Sequence, residues 1–515
     1  MSRLLLRKSL QDCEDDIRER GGLRRSLNKW HLTALGVGAT IGAGIFATTG
    51  TAIVGDALRP GAGPAIVISF LLTAMTCGFA ALCYAEFAAM VPISGSAYTY
   101  AYASLGELVA WIIGWDLIIE YAVGNIGVAI GWSGYFRELL THFDISLPAW
   151  LATDFRSAHM AADAIATGAS DPSSLYLASA LSTAPRVFGF PFIANLPAFL
   201  VVLMITVILV IGIRESANSN TAMVLLKIGI ILFFCAVGAT LIRPEHWSDP
   251  TLGGFAPNGW AGISAGAAII FFSYIGFDAT STAAEEAKDP ARDMPFGIIM
   301  SLVVCTVLYI VLALVMTGMA PWNKLGTAEP MVTALALADG SPKLLMISRL
   351  IVSLGAVIAM SSVLLVFQLG QPRIFMSMAR DGLLPPFLAR VHPRFKTPYI
   401  GTIITGLFVA TFAAFANIAE VVDLTNIGTL FAFVLVSAGV LVLRRLEPDR
   451  LRPFRAPWVP LTPIISIVAC LYLMLQLPRL TWIRFGIWLV LGLAIYLLYG
   501  IRHSRLQRVA EGGKR

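Results

Sequence analysis

Twelve apolar stretches recur along this chain, at about residues 31–53, 64–91, 107–134, 197–213, 219–242, 261–282, 295–318, 344–370, 399–416, 422–443, 460–478 and 482–501. One bilayer crossing takes roughly 20 predominantly apolar residues. The expected fold is therefore all-α and integral to the membrane, with twelve transmembrane helices. Only 13% of the residues are charged, against roughly 25% in soluble domains. The fourth, ninth and eleventh stretches are short, and their boundaries are the least sharp.

Lys and Arg are unevenly shared once the loops are assigned alternately to the two sides. With both termini in the cytoplasm, 26 of the 37 basic residues fall inside, ten outside and one, Lys227, within a stretch. The positive-inside rule thus predicts cytoplasmic N- and C-termini and an even number of spans. The net charge of +6 follows from this topology, and no nucleic-acid partner is expected. The opening M-S-R-L-L-L-R-K-S-L has too short an apolar run for a signal peptide and no small-residue cleavage site, so the first span is expected to insert the chain. Cys13, Cys77, Cys83, Cys235, Cys305 and Cys470 show no C-x-x-C spacing and read as small core residues, so neither a metal nor a cofactor is expected.

The expected organisation is a cytoplasmic segment over 1–30, a first five-helix unit over 31–242 with an external connection at 137–196, a second five-helix unit over 261–443, helices 11 and 12 over 460–501, and a cytoplasmic tail over 502–515. Residues 1–30 mix leucine with charge of both signs and read either as a helix near acidic headgroups or as a solvated tail. The external connection, rich in Ala, Ser, Asp and Pro, is expected to form short surface helices.

Two stretches carry interruptions. Residues 38–46 read G-A-T-I-G-A-G-I-F, with Gly38, Gly42 and Gly44 inside what should be continuous helix. Each glycine there costs about 1 kcal/mol against alanine, so the segment is expected to unwind and free backbone groups that must then line a cavity or ligand. The second, F-F-S-Y-I-G-F-D-A-T-S-T from Phe271, has Gly276 and Asp278 in an apolar helix, five spans later. Five is odd, so the two units have opposite topology, and paired breaks in an inverted repeat point to a transporter's binding site. The competing reading is close helix packing through small residues. The Ala43 and Gly44 N–H groups at the start of the second half-helix suit a carboxylate. Carbonyls at Thr40, Phe272, Ser273 and Ile275 suit an ammonium, and together they describe an α-amino acid site.

The runs L-T-A-L-G-V-G-A-T-I-G-A-G-I-F from Leu32, F-F-S-Y-I-G-F-D-A-T-S-T-A-A-E-E-A-K-D-P-A-R-D-M-P from Phe271 and L-G-Q-P-R-I-F-M-S-M-A-R-D-G-L-L-P from Leu369 resemble the bacterial cationic amino acid transporter family of the amino acid, polyamine and organocation superfamily. The resemblance implies a five-plus-five inverted repeat with broken helices 1 and 6 and two further helices, secondary amino acid transport, and a place in the inner (cytoplasmic) membrane. It implies that Thr40, Ile41, Gly42, Ala43, Gly44 and Ile45 hold substrate in span 1, and Phe272, Ser273 and Ile275 in span 6, with Phe272 as an aromatic lid. Relatives often have isoleucine at position 40 and a hydroxyl residue at position 43, so a hydroxyl contact is lost here.

Lys227 lies about eight residues into its span, where a cation costs about 2.5 to 3.5 kcal/mol. It reads either as snorkelling to the interface or, by resemblance, as a substitute for a coupling sodium ion, its protonation cycle driving transport. Glu120 is a second coupling candidate by resemblance, or a hydrogen-bonded structural acid. Asp278 reads as a cap of the second half-helix. Met360 reads as core or, by resemblance, as the floor of a side-chain pocket that excludes long cationic substrates. The run Glu285–Asp293 and the loop 373–396 read as solvated loops or as an inner gate.

The function expected is proton-coupled uptake of small to medium neutral L-amino acids by alternating access. An exchanger, a cationic amino acid transporter and a membrane amino acid sensor are the alternatives. An enzyme is not expected: the six histidines lie at span ends or in loops, and no H-E-x-x-H or P-loop is present. The partners expected are the amino acid, protons and the lipid bilayer; a small membrane partner is left open.

Overall fold

The computed structural model describes residues 6–7, 25–90, 96–166, 172–212 and 217–512. The surface helix expected over 1–30 thus lies largely outside the described residues, as do Cys13 and Arg214. Among the described residues, nine helical segments are long and apolar enough to cross a membrane: Lys29–Val54, Gly63–Met90, Glu107–Thr141, Thr221–Ala239, Gly259–Ala284, Pro290–Met319, Pro342–Arg380, Ile418–Leu446 and Arg479–His503. Three shorter apolar helices, Leu196–Ile211, Tyr399–Phe415 and Leu461–Leu475, fall on the fourth, ninth and eleventh stretches.

The helices used below are α1 (Lys29–Thr40), α2 (Thr49–Val54), α3 (Ile66–Met90), α4 (Ser96–Ser104), α5 (Glu107–Ile118), α6 (Gly124–Thr141), α7 (Phe155–Ala166), α8 (Pro172–Thr183), α9 (Leu196–Ile211), α10 (Ala217–Ala239), α11 (Gly259–Ile270), α12 (Pro290–Met319), α13 (Pro330–Leu337), α14 (Pro342–Arg380), α15 (Tyr399–Phe415), α16 (Ile418–Leu446), α17 (Leu461–Leu475) and α18 (Arg479–Ile495). Asn28 starts α1 by accepting from the Trp30 and His31 N–H groups, both at 3.0 Å, which satisfies donors the first turn leaves without intrahelical partners.

Burial sorts the segments. The most apolar windows of Lys29–Val54, Glu107–Thr141 and Gly259–Ala284 are each 89% buried, whereas that of Arg479–His503 is 22% buried. The two interrupted segments and Glu107–Thr141 thus form the centre, and the last helix lies at the rim. Large apolar side chains such as Leu200, Met204 and Val207 on α9 and Leu407 and Phe412 on α15 are exposed.

The connection at 137–196 holds α7, α8 and a two-stranded antiparallel hairpin, β1 (Arg186–Val187) and β2 (Phe190–Pro191). A small core of Ala149, Ala158, Ala180 and Ile193 joins its parts. The run at 285–293 is held by backbone: Ser26 and Leu27 N–H donate to Glu286 C=O, and Lys288 N–H donates to Leu27 C=O at 2.8 Å.

Candidate functional site

The hydrogen-bond ladder of α1 stops at Thr40. Ile41 is extended, with φ −75° and ψ 96°, and its N–H makes the last helical bond, to Val37 C=O. Helix resumes at Ala43 and passes through one wide π turn, Gly44–Thr48, into α2. The N–H groups of this new first turn have no intrahelical acceptor. Its carbonyls are taken by hydroxyls: Thr48 donates to Gly44 C=O at 2.6 Å, Thr49 to Ile45 C=O at 3.0 Å, and Tyr135 of α6 to Phe46 C=O at 2.7 Å.

The second segment changes form in the same way. After α11 comes a 3-10 turn at Phe271–Tyr274, then extended Ile275 with φ −63° and ψ 132°, and a second 3-10 run at Asp278–Glu286. Between them Gly276 has φ +119°, a conformation costly for any residue with a Cβ. A Cβ on Gly276 would lie 2.8 Å from the Ala39 carbonyl atoms, and one on Gly44 would lie 2.3 Å from Ser273 Cα. The two irregular stretches therefore touch backbone to backbone at two points, which only glycine permits.

Between them lies a small cavity of about 10 Å³, lined by Ala39, Thr40, Gly42, Ala43, Gly44, Phe272 and Ile275, and by Val128 of α6 and Val363 and Phe367 of α14. That is the room of roughly one water, so the lining must part before an amino acid fits. The side chains are apolar except Thr40, whose hydroxyl donates to Gly36 C=O at 2.8 Å. Polar recognition here falls to the backbone. Ile41 and Ile45 are buried beside this lining, and Ser273 is buried with its hydroxyl unpartnered among the described residues.

Sequence reasoning missed Val128, Val363 and Phe367. Met360 lies outside the lining, one turn of α14 from Val363, with its sulfur 3.5 Å from where a Cβ on Gly131 would stand. Positions 360, 363 and 367 share a helix face, and that spacing was the one signal available.

Lys227 of α10 does not reach an interface. It is 1% exposed, and its ammonium donates to Gly38 C=O at 2.5 Å and Ile41 C=O at 3.1 Å. The Thr40 carbonyl, expected to be free, accepts from Tyr309 of α12 at 3.1 Å, because the interruption turns it toward that helix. Three carbonyls around the interruption thus meet buried donors from two neighbouring helices.

Glu120 sits in a second π turn, Ile119–Val123, with its carboxyl close to that of Asp278. Both are buried. Asp278 does not cap: the 3-10 run has no side-chain cap bond, and neither carboxylate oxygen has a partner among the described residues. The Ala279 and Thr280 N–H groups that a cap would serve already donate to the Gly276 and Phe277 carbonyls at 3.1 and 3.3 Å. Asp116, one turn earlier, is buried with both oxygens unpartnered among the described residues.

The pattern of a family described as amino acid permease matches residues 27–498. A branched-chain amino acid permease, BcaP, of Bacillus subtilis (strain 168) is 43% identical over 503 residues, covering 98% of each chain. A methylthioribose transporter of the same organism is 43% identical over 508 residues, covering 99% of this chain and 100% of that one. Cationic amino acid transporter 4 of Homo sapiens is 30% identical, covering 96% of this chain and 90% of its own. A match across nearly the whole length, a multi-pass helical architecture and two irregular segments meeting at its centre agree: the chain belongs to the amino acid permease family of the amino acid, polyamine and organocation superfamily, a family of transporters and not of enzymes.

Proposed function

We propose that the protein is a secondary active transporter that takes up small to medium neutral L-amino acids with protons, by alternating access. The observation that carries this is the contact between the Ile41–Gly42 interruption and the Phe271–Gly276 stretch, around an apolar cavity. Free N–H groups at Ala43, Gly44 and Ile45 hold the substrate carboxylate. Carbonyls at Phe272, Ser273 and Ile275 receive its ammonium, and Thr40, Ile41 and Gly42 shape the turn between them. Val128, Phe272, Val363 and Phe367 surround the side chain. Among the described residues no charged one lines the cavity, and a charged substrate side chain would be desolvated there without a partner. That favours a neutral aliphatic substrate, in line with the relative named for branched-chain amino acids.

In this reading the nine long and three shorter apolar helices make twelve spans. The first ten form a five-plus-five inverted repeat, and both termini lie on the cytoplasmic side of the cell membrane. Lys227 is the coupling group: protonated, it clamps Gly38 and Ile41, and release of the proton weakens the clamp. The buried Glu120–Asp278 contact is a second place to hold a proton. Met360 sets the depth of the side-chain pocket.

A substrate panel with purified protein in liposomes, run with and without an inward proton gradient, tests the proposal. Saturable uptake of branched-chain or other neutral amino acids, accelerated by the gradient, is expected. Methylthioribose and arginine belong in the panel, since two relatives carry those substrate classes in their names. Silence for every amino acid would overturn the reading.

A further inference from the structure

The hairpin at the end of the 137–196 connection is built in an unusual way. Its strands pair Arg186 with Pro191 and Val187 with Phe190, and its base is closed by Phe192 N–H donating to Pro185 C=O at 2.9 Å. The two turn residues, Phe188 and Gly189, have φ +50° and +84°. Positive φ at both is the type I′ form, which favours Asn-Gly or Asp-Gly, and a bulky side chain at the first position is strained. Phe188 is 97% exposed and Phe190 76% exposed, so packing within the protein does not offset that strain.

The base of the hairpin stands where two membrane-facing surfaces meet. Exposed Phe192 precedes Leu196, the first residue of α9, by one helical turn's worth of chain, and the exposed stripe continues through Leu200 and Met204. The Phe192 ring also meets Phe415, the last residue of α15, edge to face at 6.2 Å. Asn195 N–H donates to Ala414 C=O at 2.8 Å, which fixes this junction to the end of α15. The hairpin leaves from the level at which both apolar stripes end. Aromatic side chains at that depth belong to the headgroup boundary, where apolar rings and polar neighbours are both accommodated.

We propose that the hairpin 186–191 is an interfacial anchor. Phe188 and Phe190 enter the boundary between headgroups and acyl chains of the nearer leaflet, and exposed Arg186 meets lipid phosphate. The occupant is phospholipid: the apolar surface is a narrow tip continuous with the lipid-facing stripes of α9 and α15.

The test uses the full chain with Cys13→Ser, since the other cysteines are buried, and Phe188→Cys carrying a small fluorophore. The protein is reconstituted at low density in phosphatidylcholine vesicles with iodide on both sides, or with lipid bearing a nitroxide high on the acyl chain. Expected is quenching by the nitroxide lipid several-fold stronger than by iodide, with the reverse for a label at exposed Ser182 of α8. Phe190→Cys repeats the measurement at a regular strand position and must agree. Iodide quenching at 188 and 190 equal to that at 182, without a nitroxide effect, overturns the proposal. So does iodide protection that appears only as protein density is raised, which reports contact with a second copy.

Discussion

Gly44 carries the tightest steric requirement in the site. Its neighbour at 2.3 Å is the backbone of Ser273, which cannot rotate away as a flexible side chain would. Gly44→Ala forces the two irregular segments apart at a cost of about 1–3 kcal/mol. A lower melting temperature and uptake reduced by about tenfold or more are expected on the same purified sample. Tyr309→Phe is milder, since one hydrogen bond to the Thr40 carbonyl contributes about 1 kcal/mol. A KM raised a few-fold with an almost unchanged melting temperature is the expected result in transport kinetics. Val363→Ala and Met360→Ser separate two readings of the side-chain pocket. Val363 touches Gly42 directly, so its truncation widens the cavity for bulkier neutral substrates, whereas Met360→Ser deepens it and admits longer, cationic ones; competition assays against both classes distinguish them. The glycines were legible because their cost in a helix is local. Val128, Val363 and Phe367 were not, because an apolar residue facing a cavity and one facing a core look alike in a sequence.

At the scale of elements, the apolar stretches and the helices coincide because a run of about 20 apolar residues has few alternatives in a bilayer. The π turns at Gly44–Thr48 and Ile119–Val123 were beyond reach. In the first, the Phe46 carbonyl accepts from the Tyr135 hydroxyl of another helix, a contact that local propensity does not contain. A tie between elements was also missed: Arg59, after α2, donates to Asp56 at 2.7 Å and to Asp423 of α16 at 2.7 Å, with little exposure on any of the three. Asp423 depends on that guanidinium, whereas Asp56 also accepts from the Leu58 and Arg59 N–H groups at 2.8 and 2.9 Å. Arg59→Gln leaves Asp423 uncompensated and is expected to cost about 3–5 kcal/mol, with the paired change Arg59→Met and Asp423→Leu recovering much of it. Thermal unfolding of the two variants side by side checks this.

For the molecule as a whole, the account joins two chemistries at one place. In the proposed function, the interruption of the first segment offers N–H groups to a substrate on its cavity side. On the other side its carbonyls at Gly38 and Ile41 are held by Lys227. In the proposed mechanism the lysine is a clamp on the binding turn, and its proton and the substrate act on the same few residues. The sequence pointed to both halves, since a lysine deep in an apolar span and glycines in a helix are each anomalous. Their meeting was a matter of tertiary structure. The most direct test is uptake of a neutral amino acid by Lys227→Ala in liposomes, under an inward proton gradient and in gradient-free counterflow, beside the unaltered protein. The account predicts that acceleration by the gradient disappears in the variant while the protein remains folded; full gradient-driven uptake by Lys227→Ala would contradict it.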